Sequence, residues 1–230
     1  MTTNWVVKAI IVLILFKPTT SWANDIYINQ SGDNIDMTIV QDGENNVISS
    51  VAGNTRKAPI SGNNTNTTFT QTGDNNDIGV YMSAGNGQQT VTQTGNTNYA
   101  TSDCHGNNCS TTITQYGNNN LANLEFGNGG DYDQTGTITQ DGDYNAAGIE
   151  ANGDDNTFVI DQDGDNNAVG GITGAPITGD NNILSITQDG DYMTFEGHLI
   201  GSNNSLTSFQ GGSANNSFIR VSTVGSNNTG

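Results

Sequence analysis

The sharpest chemical signature in the chain is "CHGNNC", where Cys104 and Cys109 flank a Gly-Asn reversal with His105 between them. In an exported protein two cysteines so placed can close a disulfide; otherwise they are two small inward thiols. His105 invites a metal, but the other histidine, His198, is far along the chain and neither gathers a coordination set. "DQDGDNN" from Asp161 has the acidic spacing of a calcium loop. It lacks the distal Glu of an EF-hand and the G-G-x-G-x-D nonapeptide, and sister stretches such as "QTGNTN" carry no acid. Solvated turn carboxylates are the expectation, with no metal and no cofactor. Ser, His and Asp form no nucleophile and base pair, no paired-carboxylate pocket and no phosphate loop, so no enzyme is expected.

What remains is amide chemistry, and it repeats. "TTITQYGNNN" from Thr111 has near copies centred on Gln41, Gln71, Gln93, Gln140, Gln162, Gln188 and Gln210, making eight with its own Gln115. Two residues after each glutamine stands a glycine: Gly43, Gly73, Gly95, Gly117, Gly142, Gly164, Gly190 and Gly212. Three beyond the glycine come Asn46, Asn76, Asn98, Asn120, Asn145 and Asn167. The steps between successive glutamines are 30, 22, 22, 25, 22, 26 and 22, a period of 22 with three insertions. Halfway through each unit lies a weaker echo, such as "GNNT" at Gly62, "GDDN" at Gly153, "GDNN" at Gly179 and "GSNN" at Gly201 and Gly225.

These residues need elements that hold them at equal heights. Successive strand residues face opposite ways, so Ile113 and Gln115 share one face and Thr112 and Thr114 the other. Ala122, Leu124 and Phe126 alternate again after the turn, as do Ile78, Val80 and Met82. A helical pattern fails, because apolar positions recur at spacing two and Gly or Asn interrupts every few residues. One unit cannot bury a core alone, whereas stacked units give each strand a partner on either side. The expected fold is all-β: a two-sheet β-solenoid of about eight strand-turn-strand-turn coils, on the order of 40 Å long. A buried, unpaired amide costs roughly 1–3 kcal/mol. Stacked in register, each amide can donate to its copy one coil away and accept from the other side. The motif glycines give the turn its positive φ, and Asn tolerates the left-handed region after it.

The opening "MTTNWVVKAIIVLILFKPTTSWA" has Lys8, an apolar run from Ala9 to Phe16, and small residues Ser21 and Ala23. It reads as a secretory signal peptide over 1–23, with the repeat domain over 24–230. The formal net charge is −18, and removing the leader leaves only Arg56, Lys57 and Arg220 against 23 acids. Nucleic acid is excluded as a partner, because phosphate binding needs clustered Lys and Arg. Such composition ordinarily signals disorder; the periodicity overrides it.

The Q-x-G-x-x-N units resemble curlin, the subunit of curli, the functional amyloid of bacterial biofilm matrix. Ala100, Ala122 and Ala147 match the alanine that follows in the family pattern, while Met193 stands where Asn is expected. Met82, Cys104, Phe126 and Ala151 replace its closing Gln, Thr65 and Asn156 its leading Ser, and loops near Asn54, Gly129 and Gly171 enlarge the coil. The resemblance implies export of an unfolded chain through the curli-type outer-membrane pore and assembly outside the cell. It also implies a homopolymer on the bacterial surface, a nucleating or co-assembling curlin-like partner, and roles in adhesion and aggregation. The rival reading is an ice- or surface-binding solenoid with an outward threonine stripe, as at Thr90/Thr92, Thr112/Thr114 and Thr137/Thr139, interrupted by Val40, Asp161 and Phe209.

Overall fold

Each motif strand is a run of Thr and β-branched residues bounded by Gly-rich turns, a composition that favours extended backbone. The computed structural model describes residues 24–26, 29–49, 59–82, 85–103, 108–126, 133–170, 177–212 and 216–230. Among them there is no helix, and the chain winds as a β-solenoid of about seven turns from its first motif strand to its last. Residues 1–23, the loops near Asn54, Gly129 and Gly171, and Cys104, His105, Arg56 and Lys57 lie outside the described residues.

The eight motif strands are Asp36–Asp42, Asn66–Thr72, Gln88–Thr94, Ser110–Tyr116, Thr135–Asp141, Thr157–Asp163, Ile183–Asp189 and Ser205–Gln210. They form one sheet in chain order, every neighbour parallel and in register. Gln93 pairs with Gln115 and Gln115 with Gln140, as Val91 does with Ile113 and Ile113 with Ile138. After each motif turn the chain crosses to a second parallel sheet, whose arcs are mostly shorter, as at Asp77–Val80 and Tyr99–Ser102, and lengthen to seven residues at Thr194–Ile200 and Phe218–Val224. None of the insertions falls within a motif strand, whereas the second sheet is interrupted even in a 22-residue unit, where one arc is split into Ala146–Ala147 and Ala151–Asn152. The long face stays unbroken because its strands carry the register.

The core lies between the two faces. From the long sheet come Phe69, Val91, Ile113, Ile138, Ile160 and Ile186, all buried. From the short arcs come Ile78, Ala100, Ala122, Leu124, Ala147 and Phe195. Volumes are matched across the gap: Phe126 stacks on Phe158 at 5.9 Å, and Gly136 leaves room for it, since a Cβ there would lie 2.7 Å from the Phe126 ring. So thin a slab holds few apolar residues per coil, and much of its interior is polar.

Candidate functional site

Glutamine supplies the first polar column. From Gln41 through Gln71, Gln93, Gln115, Gln140, Gln162 and Gln188, each Nε2 donates to the Oε1 of the next glutamine at 2.7–3.0 Å, ending at Gln210. The second N–H of each amide from Gln71 onward crosses the core to a backbone carbonyl of the short face, Val47, Asp77, Tyr99, Leu121, Ala146, Ala168 and Thr194 in turn. The column therefore ties the coils along the stack and the two sheets across it. It also has a direction, because every donor points toward the C-terminal coil. Gln41 Oε1, at the other end, is buried without a partner.

The Asn column bonds mainly through the backbone. The Oδ1 of Asn46, Asn76, Asn98, Asn120 and Asn145 accepts the N–H of the next Asn. Each Nδ2 donates to a turn carbonyl one coil on, from Gly73 to Gly190, at 2.7–2.8 Å. Amide-to-amide contact is secondary, seen from Asn76 to Asn46 and from Asn98 to Asn76. Met193 ends the column: its N–H still donates to Asn167 Oδ1, but its side chain carries nothing forward.

One further rung and one further column lie outside the motif. Asn24 caps the column from below, accepting from the N–H of Asn46 and donating to the Gly43 carbonyl. On the opposite edge the echo half builds its own column: Asn182 N–H donates to Asn156, Asn204 to Asn182 and Asn228 to Asn204. Its signal was visible in the Gly-x-x-Asn echoes, but in earlier coils Thr65 and Cys109 occupy that place, which hid the ladder.

All eight motif glycines have positive φ. From Gly43 to Gly164 a second constraint comes from the coil stacked on each: a Cβ on Gly95 would sit 1.9 Å from the carbonyl oxygen of Gly117, whereas at Gly212 the space is open. The left-handed residue that follows is two positions on, as at Asn45, Asn75 and Asn119, and this place also holds Tyr144 and Tyr192. The turn acids are partnered rather than merely solvated. Asp74 accepts the N–H of Glu44, Asp143 that of Asn118, Asp165 that of Asp143 and Asp191 that of Asp165. Beside them Asp141, Asp163 and Asp189 stand in register on the long sheet. Asp161, two residues before Asp163 on the same outward face, has its carboxyl raised above the usual range by burial and by the charges of Asp163 and Asp141. Burial alone raises Asp77.

Among the described residues no group of three or more His, Cys, Asp or Glu side chains is placed to hold a metal, and no helix is long and apolar enough to cross a membrane. Cys109 is buried and disulfide-bonded. Outward on the long sheet, Thr68/Thr70, Thr90/Thr92, Thr112/Thr114 and Thr137/Thr139 align over four consecutive strands.

Residues 133–164, from the turn before Thr135–Asp141 to the turn after Thr157–Asp163, match the family model of the curlin-associated repeat. That segment holds Gln140, Gly142, Asn145, Gln162 and Gly164. No curated protein and no solved structure matches the chain.

Proposed function

We propose that the chain is a structural subunit of an extracellular curli-like fibre that assembles end to end and builds biofilm matrix, holding cells to one another and to surfaces. The observation that carries this reading is the register of the long sheet: eight parallel strands stacked with one hydrogen-bonded Gln column through them. A strand at either end of such a stack presents unpaired N–H and C=O groups, the template for another chain. Stacking identical strands in register is also the architecture of cross-β fibres. The curlin-associated repeat at 133–164 supports the same reading, since proteins of that repeat are structural.

On this reading residues 1–23 direct export and are removed, a curli-type outer-membrane pore passes the unfolded chain, and a nucleating curlin-like subunit starts the fibre. Purified protein incubated at neutral pH should yield thioflavin-T-positive fibres whose diffraction repeats at about 4.7–4.8 Å along the axis. Protein that stays monomeric at high concentration, with no fibres in electron micrographs, overturns the proposal.

The aligned threonine array favours a second reading, binding to an ordered surface such as ice. Its two columns repeat at the coil spacing across four strands. Thermal hysteresis by soluble monomer, abolished by Thr112→Tyr with Thr114→Tyr, would select it.

A further inference from the structure

We propose that copies join in one direction only, the first short arc of one copy seating on the last short arc of the next, with the short sheet rather than the Gln column forming the joint. This rests on the fibre reading above and adds its polarity, register and contact residues.

The Gln column is closed at its C-terminal end. Gln210 gives one N–H to the Thr194 carbonyl and the other to Ser217, whose hydroxyl lies 3.0 Å away. Neither remains for a neighbour. The short face is different. One inward column runs Ile26, Ile48, Ile78, Ala100, Ala122, Ala147, Val169, Phe195, Ile219. Its interior members are buried, while Ile26 and Ile219, with Val221, pack on the core only partly covered. The column thus starts and finishes on an isoleucine with one side open among the described residues.

Register matches as well as chemistry. Phe218–Val224 pairs residue for residue with Thr194–Ile200. In the first arc, Gln30 stands four residues after Ile26 in sequence, as Thr223 stands four after Ile219. Seating Ile26 over Ile219 therefore sets Asp25 over Phe218, Asn29 over Ser222 and Gln30 over Thr223. Room remains between the two long sheets for one further strand, whose place Thr229 and Gly230 already enter beside Ser205 and Thr207.

Charge sets the polarity. Arg220 projects from the last arc with a 70% exposed side chain, bonded to Glu196 of the coil below and lying over the Phe218 ring. The first coil presents exposed Asp25, Asp33 and Asp36. Head-to-tail seating puts Asp25 over Phe218 and beside Arg220. Joining two like ends would oppose acid to acid, or Arg220 to Arg220. A two-fold joint also reverses one strand, so parallel register would be lost. A heterologous contact of this kind does not close and propagates as a filament.

Stacked parallel neighbours lie about 4.8 Å apart, within the Cα separation that a disulfide spans. Ile26→Cys and Ile219→Cys proteins, one carrying a size tag, are assembled together and oxidised. The expected product on a non-reducing gel is the mixed 26-to-219 dimer, with neither variant cross-linking alone. Fibres that yield same-variant dimers, or no cross-link, overturn the inference. Absence of fibres from the parent protein overturns instead the reading beneath it. As a test without cysteine, Arg220→Glu should slow elongation about tenfold at low salt, with Arg220→Lys restoring it; unchanged elongation in Arg220→Glu contradicts the charge pairing.

Discussion

Gly95, Gln115 and Gln89 are small or polar residues inside a thin slab, and each answers to a different force. Gly95 combines a φ of +116° with a carbonyl where its Cβ would be. Gly95→Ala should cost about 2–4 kcal/mol by strain and overpacking, read as a lower urea midpoint. The sequence discloses the positive φ, because Gly recurs before Asn-rich turns. It does not disclose the carbonyl contact, which exists only once the next coil is in place. The two glutamines look alike in sequence and differ in bonding. Gln115 accepts from Gln93 and donates to Gln140 and Tyr99, whereas neither amide atom of buried Gln89 has a partner. Gln115→Leu should therefore destabilise by about 3 kcal/mol, since it orphans its bonded neighbours. Gln89→Leu should stabilise by about 1–2 kcal/mol by removing a polar group that bonds to nothing. Equal effects of the two substitutions on the unfolding midpoint would contradict this division.

At the scale of elements, the eight long strands were legible because one alternation and one turn recur at a fixed step. The short arcs were less so, since their alternation is brief, as where the strand lapses between Ala147 and Ala151, and the three insertions disturb the period in other units. The column from Asn156 to Asn228 was half hidden by Thr65 and Cys109, and the rung at Asn24 by its position before the first full motif. The strand Thr157–Asp163 carries an electrostatic cost: Asp161 stands outward between Thr139 and Thr187, near the Asp141 and Asp163 carboxylates. Its raised folded-state pKa means that its contribution to stability is fully present below the unfolded value and is lost as pH rises through the folded one. Asp161→Asn should accordingly be more stable than the parent at pH 7 and indistinguishable from it near pH 3. A denaturation series over that range reads the difference, and a variant less stable at pH 7 would reverse the sign.

For the whole molecule, a narrow slab with little apolar volume stands only because polar groups at matching heights satisfy one another. The same stacking lines up like charges. Asp141, Asp163 and Asp189 form one column, with Asp143, Asp165 and Asp191 beside it. Salt screens such repulsion, so fibre growth should be slow at low ionic strength and quicken as salt is added. A thioflavin-T time course without acceleration by salt would refute this gating.

The most direct test is a density map of the assembled protein at side-chain resolution. Strands should lie perpendicular to the fibre axis, with the side chains of Gln93, Gln115 and Gln140 directly over one another, amide to amide, at the coil spacing. A map in which those three glutamines are out of line, or in which strands run along the axis, would contradict the account.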